Sequence, residues 1–296
     1  MATTQRGAVP AHTPIDLATL GATFAERGYV ILPGFFESEV VASARAGCEW
    51  LVERDAQRLR AEGKIAELFA AAPFETRVAR IYERNLDLAP KVYRRELHRE
   101  AFFPIFFHPR LLDVVEALLG GEIRLYPNYS VRPKLPDWEG TLVLWHQDGG
   151  YTESGMHGGG GGDVAALRMV NVWSPLVPAR VANGCMQFIP GTHTLGSLPH
   201  VRRTHYLEIV EEALRPHLGA AVNIELDPGD VVLFNNMLLH QGLPNTTNTV
   251  RWSLDWRYQD ATQATLRDTQ GHIARSRSNP SSAVQSAADW ARLTFR

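Results

Sequence analysis

Leu144-Trp145-His146-Gln147-Asp148 sets an imidazole and a carboxylate two positions apart on a stretch that reads as a strand. Alternate side chains of a strand share a face, so His146 and Asp148 can offer adjacent ligands to one divalent metal ion. Further along, the turn Asp227-Pro228-Gly229-Asp230 leads into an apolar strand, Val231-Val232-Leu233-Phe234, and that segment closes on His240. Two histidines and one carboxylate leave several metal positions open. Non-haem Fe(II) oxygenases use this ligand set, and zinc hydrolases use similar ones, so the triad alone admits either chemistry. Arg251 then opens the amphipathic strand Arg251-Trp252-Ser253-Leu254-Asp255-Trp256. An arginine deep in a barrel grips a carboxylate with both arms of its guanidinium, a geometry that lysine cannot copy. Ser253, on the same face, adds a hydroxyl. Such a pair suits the distal carboxylate of a dicarboxylic keto acid whose other end chelates the metal.

These residues need a scaffold that brings distant strands together. From Glu122 onward, short apolar or alternating runs bounded by Gly, Pro, Asn and Asp cover 123–131, 141–145, 166–173, 186–189, 222–226, 231–235 and 250–258. That texture predicts an antiparallel sandwich or barrel rather than βαβ units, with one helix, over 206–218, inserted between strands. The first third reads as helical. Thr13-Pro14 caps a helix whose Ile15, Leu17, Leu20 and Phe24 recur at helical spacing as far as Gly28. A short strand over 29–32 follows, then a long helix capped by Ser38 and running to about Gly63. A third helix spans Pro109 to Leu119, closed by Gly120-Gly121. The expected fold class is mainly β with N-terminal helices, the core being a jelly roll. We read one domain over 1–296: a helical buttress and substrate-pocket region over 1–121, a jelly-roll core over 122–258, and a C-terminal segment over 259–296 that docks back onto the core.

Composition narrows the partners. Thirty basic against 32 acidic side chains give a formal net charge of −2 over 296 residues, without the basic field of a general nucleic-acid binder. Cys48 and Cys185 cannot build a disulfide framework, so a reducing, cytoplasmic setting is expected. No run approaches the roughly twenty apolar residues that span a bilayer, and the first residues do not read as a signal peptide. A small-molecule substrate is expected, with no nucleic-acid or membrane partner; oligomeric state is open. Asn128, Ser130, Arg132 and Lys134 alternate along the strand leading into the His146 motif. Asn128 and Arg132 are the expected pocket residues. Gly158–Gly162 lacks the Gly-Lys-Ser/Thr ending of a phosphate cradle and is expected to be a loop beside the metal. Phe102, Phe103, Phe106 and Phe107, close to Arg94, Arg95 and Arg99, hint at an amphipathic or anionic substrate.

Three motifs occur in one order: Trp145-His146-Gln147-Asp148-Gly149-Gly150-Tyr151, then Asn183 through Ile189-Pro190-Gly191-Thr192-His193, then Gly229-Asp230 through His240 to Asn245 and Arg251. In these the chain resembles the phytanoyl-CoA dioxygenase-like family of Fe(II)- and 2-oxoglutarate-dependent oxygenases. The resemblance implies a double-stranded β-helix, His146, Asp148 and His240 as catalytic iron ligands, and Arg251 as the 2-oxoglutarate anchor. It implies a dioxygenase that uses Fe(II), 2-oxoglutarate and O2 to hydroxylate, or otherwise oxidise, an unactivated C–H bond, releasing succinate and CO2. Where the family has glycine then serine after the distal histidine, this chain has Gln241 and Gly242, so Ser253 or Thr247 is expected to supply the hydroxyl. His193 is expected in its turn rather than on the metal, and His157, His200, His205 and His217 carry no role. Two rival readings remain: a metal-dependent hydrolase or isomerase on the same scaffold, and a non-catalytic jelly roll that binds a small acid.

Overall fold

The structure is a computed structural model, and it describes residues 15–153, 162–203 and 206–295. Thr13, Pro14, His157, His205 and most of Gly158–Gly162 lie outside these residues. Helix α1 (Leu17–Arg27) is capped instead by Asp16, whose carboxylate accepts from the amides of Ala18 and Thr19, and it ends at Gly28, where φ is 79°. Strand β1 (Tyr29–Leu32) follows. Helix α2 (Ser38–Ala61) begins one residue earlier than expected. Glu37 occupies the cap position without a side-chain bond, and Ser38 is already helical. Helices α3 (Phe74–Tyr82), α4 (Phe103–Phe106) and α5 (Pro109–Leu119) complete the buttress, the last closed at Gly120, where φ is 95°.

The strands come next in chain order: β2 (Glu122–Leu125), β3 (Ser130–Lys134) and β4 (Val143–His146), then helix α6 (Asp148–Glu153) and strand β5 (Met169–Pro175). Strands β6 (Met186–Phe188), β7 (His200–Arg202) and β8 (Leu207–Ile209) precede helix α7 (Glu211–Leu214). The chain ends with β9 (Val222–Ile224), β10 (Val231–Asn235), β11 (His240–Gly242), β12 (Arg251–Asp260), β13 (His272–Ser276) and helix α8 (Ala287–Arg292). The predicted run 123–131 is thus two strands. The helix predicted over 206–218 is instead a strand, one helical turn and a 3-10 segment containing Pro216. Leu207 and Ile209 are both buried at period two and pair with β7, and a proline cannot continue a helix.

Seven strands form one antiparallel sheet in the order β1-β10-β5-β12-β2-β13, with β3 also paired to β12; four form a second in the order β4-β11-β6-β9. Trp173, Val232 and Phe234 of the first share an apolar cluster with Phe188 and Ile224 of the second, so the two sheets pack face to face. This is the jelly roll expected from the sequence. The alternation of β12 decides what lies on each side of the larger sheet. Trp252, Leu254, Trp256 and Tyr258 join the core under α2 and α5, which leaves Arg251, Ser253, Asp255 and Arg257 facing the space between the sheets. The C-terminal segment adds β13 to the edge of β2 and packs Trp290, fully buried, against His98, Phe106 and Tyr129. Among the described residues no helix is long and apolar enough to cross a membrane.

Candidate active site

His240 of β11 sits directly opposite His146 of β4 in the antiparallel register, so one strand pair delivers both imidazoles to the same face. Asp148 follows two residues later at the start of α6, and the three side chains offer ligand atoms that all lie within 4.8 Å of one another. Each ring is fixed by its own strand: Nδ1 of His146 lies 2.7 Å from the Leu144 carbonyl, and Nδ1 of His240 lies 2.8 Å from that of Leu238. A carbonyl only accepts, so each Nδ1 carries the proton and each Nε2 is left with its lone pair. The Nε2 atoms face Asp148, at 3.5 Å from His146 and 3.8 Å from His240. Burial, with the nearby His146, pulls His240 down to about 3 and keeps it neutral. Two lone pairs and one carboxylate converging on a buried point fit a divalent first-row metal.

Asp148 is held by the opposite sheet. Arg257 of β12 and Asn171 of β5 are register partners, and both reach the carboxylate, the guanidinium at 2.5 Å from Oδ1 and the amide at 2.8 Å from Oδ2. Burial opposes ionisation, but Arg257, His146 and His240 outweigh it and hold the Asp148 carboxyl well below its usual range. The intervening Gln147 has no exposed surface. Its amide donates to the carbonyls of Gly196 and Met237, each at 2.8 Å, and accepts from the amide of Leu198 at 2.8 Å. Gly150 has no room for a side chain, since a Cβ there would stand 2.8 Å from the ring of His200. That ring also accepts from the Gln147 backbone N–H at 3.3 Å, so His200 buttresses the turn that carries the ligands.

The triad opens onto a cavity of about 450 Å³. Arg251 lines it, 4% exposed, with its guanidinium donating to Ser253 and lying over the Trp173 ring at 5.5 Å, while its Nε has no partner. Lys134 is the register partner of Arg251 across β3 and β12 and is also buried in the cavity wall. Its Nζ donates only to the carbonyls of Thr141 and Gly242, at 3.3 and 3.4 Å. Burial, with Arg251 and Arg132 nearby, lowers Lys134 to about 7, and burial lowers Arg251 to about 10. Among the described residues neither cation has a carboxylate partner, so this end of the cavity is built for an anion.

The other sequence candidates divide. Ser253 touches Arg251 rather than the cavity. Thr247 bonds to Asn245 and Thr249 within its own loop. Asn128 and Arg132 both line the cavity; Asn128 places its amide oxygen against the Arg257 guanidinium, 3.0 Å from one nitrogen, and Arg132 pairs with Asp255 at 2.5 Å. His193 bonds through Nε2 to the Ala25 carbonyl of α1 at 3.1 Å and stays in its turn. Sequence reasoning named Lys134 only within the alternation of its strand and gave His200 no role, and it did not raise Asn171 or Arg257. For Arg257 a signal existed: it sits on the same strand as Arg251 and Ser253, in phase with them.

A sequence model of the family described as phytanoyl-CoA dioxygenase matches residues 24–253. The chain is 26% identical over 264 residues to a 1-deoxypentalenic acid 11-beta-hydroxylase of Streptomyces arenae, covering 84% of each protein. Among solved structures it is similar to EctD of S. alaskensis with 2-oxoglutarate and 5-hydroxyectoine, at a TM-score of 0.56 and 20% identity over 98% of this chain and 96% of that one. It is also similar to the epimerase SnoN of nogalamycin biosynthesis in complex with Fe3+, alpha ketoglutarate and nogalamycin RO, at 0.55 and 23% over 84% and 86%. These likenesses carry the jelly-roll fold. The match over 24–253 takes in strand β1, the His146 motif, His240 and Arg251, and the chain belongs to the phytanoyl-CoA dioxygenase family.

Proposed function

We propose that the protein oxidises an unactivated C–H bond of a small molecule as an Fe(II)- and 2-oxoglutarate-dependent dioxygenase, with His146, Asp148 and His240 holding the iron. The single observation that carries this reading is the placement in one cavity of a two-histidine, one-carboxylate triad and two buried cations, Arg251 and Lys134, that no carboxylate among the described residues pairs with. A hydrolase or isomerase needs the triad but has no use for the pair. Bound iron, with O2 and the keto acid, supplies the oxidising chemistry that yields succinate, CO2 and oxidised substrate.

The chain's own residues bind, orient and shield. Arg251 grips the distal carboxylate of 2-oxoglutarate with its fork, and Ser253 fixes the plane of that fork. Lys134 supplies the second contact. A Cβ at Gly242 would come within 3.5 Å of its Nζ, so the ammonium occupies the place beside Gly242 where the family has a serine hydroxyl. Asn171 and Arg257 orient Asp148, and Asn128 steadies Arg257. Trp173, Met186 and Phe234 form an apolar wall that excludes water. A net charge of only −2 and two buried, unpaired cysteines support a cytoplasmic setting without a nucleic-acid partner. The test is succinate formation by purified protein with Fe(II), ascorbate and 2-oxoglutarate under air. Turnover that persists anaerobically without 2-oxoglutarate, or that Arg251→Ala leaves unchanged, refutes the reading.

A further inference from the structure

Charge bookkeeping in the cavity leaves one cation over. Arg257 is engaged by Asp148 and Arg132 by Asp255. Arg251 and Lys134 are taken, on the reading above, by the cosubstrate. Lys91 and Glu139 are exposed at the rim, where solvent screens them. Arg94 remains. It lines the cavity, its Nε is buried without a partner, and no carboxylate among the described residues pairs with it.

Its position follows from backbone pairing. Tyr93 exchanges both hydrogen bonds with Val131 of β3, at 2.9 and 3.0 Å, so the segment around it extends the sheet by one short edge. Period two turns Tyr93 into the helical core and leaves Val92 and Arg94 on the cavity side, as both burial and lining show. In this register Arg94 lies level with Ser130, four positions from Lys134 along β3, or about 13 Å at the rise of a strand. A 2-oxoglutarate that chelates the metal and ends at Arg251 does not reach it. The walls between are apolar, with Val92, Leu142, Val143, Met186 and Phe234, and two tyrosines, Tyr151 and Tyr206.

We infer that the molecule oxidised here is a compact apolar skeleton bearing one carboxylate, and that Arg94 grips this carboxylate while the skeleton spans the cavity toward the triad. The inference rests on the oxygenase reading and names its substrate class.

The test is an anaerobic titration of the visible absorption band of the protein loaded with Fe(II) and 2-oxoglutarate. The probes are adamantane-1-carboxylate, 4-cyclohexylbutyrate and decanoate, their methyl esters, decyl phosphate and decanoyl-CoA. We expect the acids to perturb the band and the esters to bind roughly 10- to 100-fold more weakly, the value of a charge-assisted contact. Arg94→Gln should bring acids and esters level, Arg94→Lys should restore part of the difference, and the 2-oxoglutarate titration should survive in both variants. The inference is overturned if no acid binds more tightly than its ester, if Arg94→Gln leaves acid affinity unchanged, or if either variant loses the 2-oxoglutarate band. It is equally overturned if decyl phosphate or decanoyl-CoA outcompetes decanoate. Failure of wild-type protein to form the band at all strikes the oxygenase reading instead.

Discussion

Arg251→Gln separates a cosubstrate anchor from a packing residue, because the two roles predict opposite effects. Removing one partner of a buried, hydrogen-bonded charge pair costs about 3–5 kcal/mol. Lys134 stays beside the carboxylate as a point charge, since it faces Arg251 across the register. The expected loss therefore falls below that range, at about 2–3 kcal/mol, which is roughly 30- to 150-fold in the Kd of 2-oxoglutarate. Without cosubstrate the guanidinium is a buried cation with no anion, and burial already lowers it to about 10. Glutamine removes that desolvation penalty, so the ligand-free variant should melt at the same temperature as wild type or higher. Titrating the Fe(II)-loaded protein with 2-oxoglutarate under argon gives the first quantity, and thermal unfolding without ligands gives the second. A Kd that moves by less than about threefold, or a lower melting temperature with an unchanged Kd, refutes the anchor assignment and leaves Arg251 as part of the core.

Four further outcomes follow from the same geometry. Lys134, lowered to about 7, binds a carboxylate only when protonated; 2-oxoglutarate affinity should weaken as pH rises from about 6 to about 8 with proton uptake on binding, and Lys134→Met should flatten that profile. Asn171→Ala frees one oxygen of Asp148, and iron affinity measured against a competing chelator should fall roughly 10- to 100-fold while the fold is kept. Gly150→Ala drives a methyl into the His200 ring, and the expected loss of about 1–3 kcal/mol should be relieved by adding His200→Ala; a silent Gly150→Ala contradicts the contact. His98, stacked on Trp290 and bonded to Tyr129 at 2.7 Å, is lowered by burial to about 4, below its unfolded value. Its contribution is present above the unfolded pKa of about 6.5 and is lost as pH falls from there toward about 4, a slope in unfolding free energy that His98→Gln should reduce.

The fold and the triad were legible because each leaves a pattern in local sequence. Apolar runs bounded by Gly, Pro and Asn mark the strands of a jelly roll, and His146 and Asp148 announce themselves by a spacing of two. Strands β11 and β13 were not legible, because three to five residues with mixed polarity carry no periodicity. The supports of Asp148 were hidden for another reason. Asn171 and Arg257 become neighbours only through the register of β5 with β12, a property of strand pairing that no single stretch encodes. Lys134 was visible in the alternation of β3, yet a buried lysine is rare enough that a neighbouring arginine draws the eye first. Its role emerges only when β3 is set against β12 and Gly242 is seen to leave space for its ammonium.

The site is organised before any metal arrives, and that decides where its binding energy goes. Both imidazoles are oriented by carbonyls of their own strands, and the carboxylate is oriented by a register pair on the other sheet, so the three donors sit on two rigid walls that the apolar core locks together. Arg257 works in two directions. It holds Asp148 ionised and aimed, yet it also draws electron density from the oxygen it touches and so weakens that oxygen as a ligand. Asn171 on the other oxygen orients without adding charge. An iron held by this triad would meet one carboxylate oxygen bound to a cation and one bound to a neutral amide, and the second would be the better donor. On this argument Arg257→Gln keeps the aim and removes the competing charge, so it should bind iron as tightly as wild type or more tightly, whereas Asn171→Ala should bind it less tightly. Parallel losses in both variants, read by chelator competition, would mean that the guanidinium matters for orientation alone.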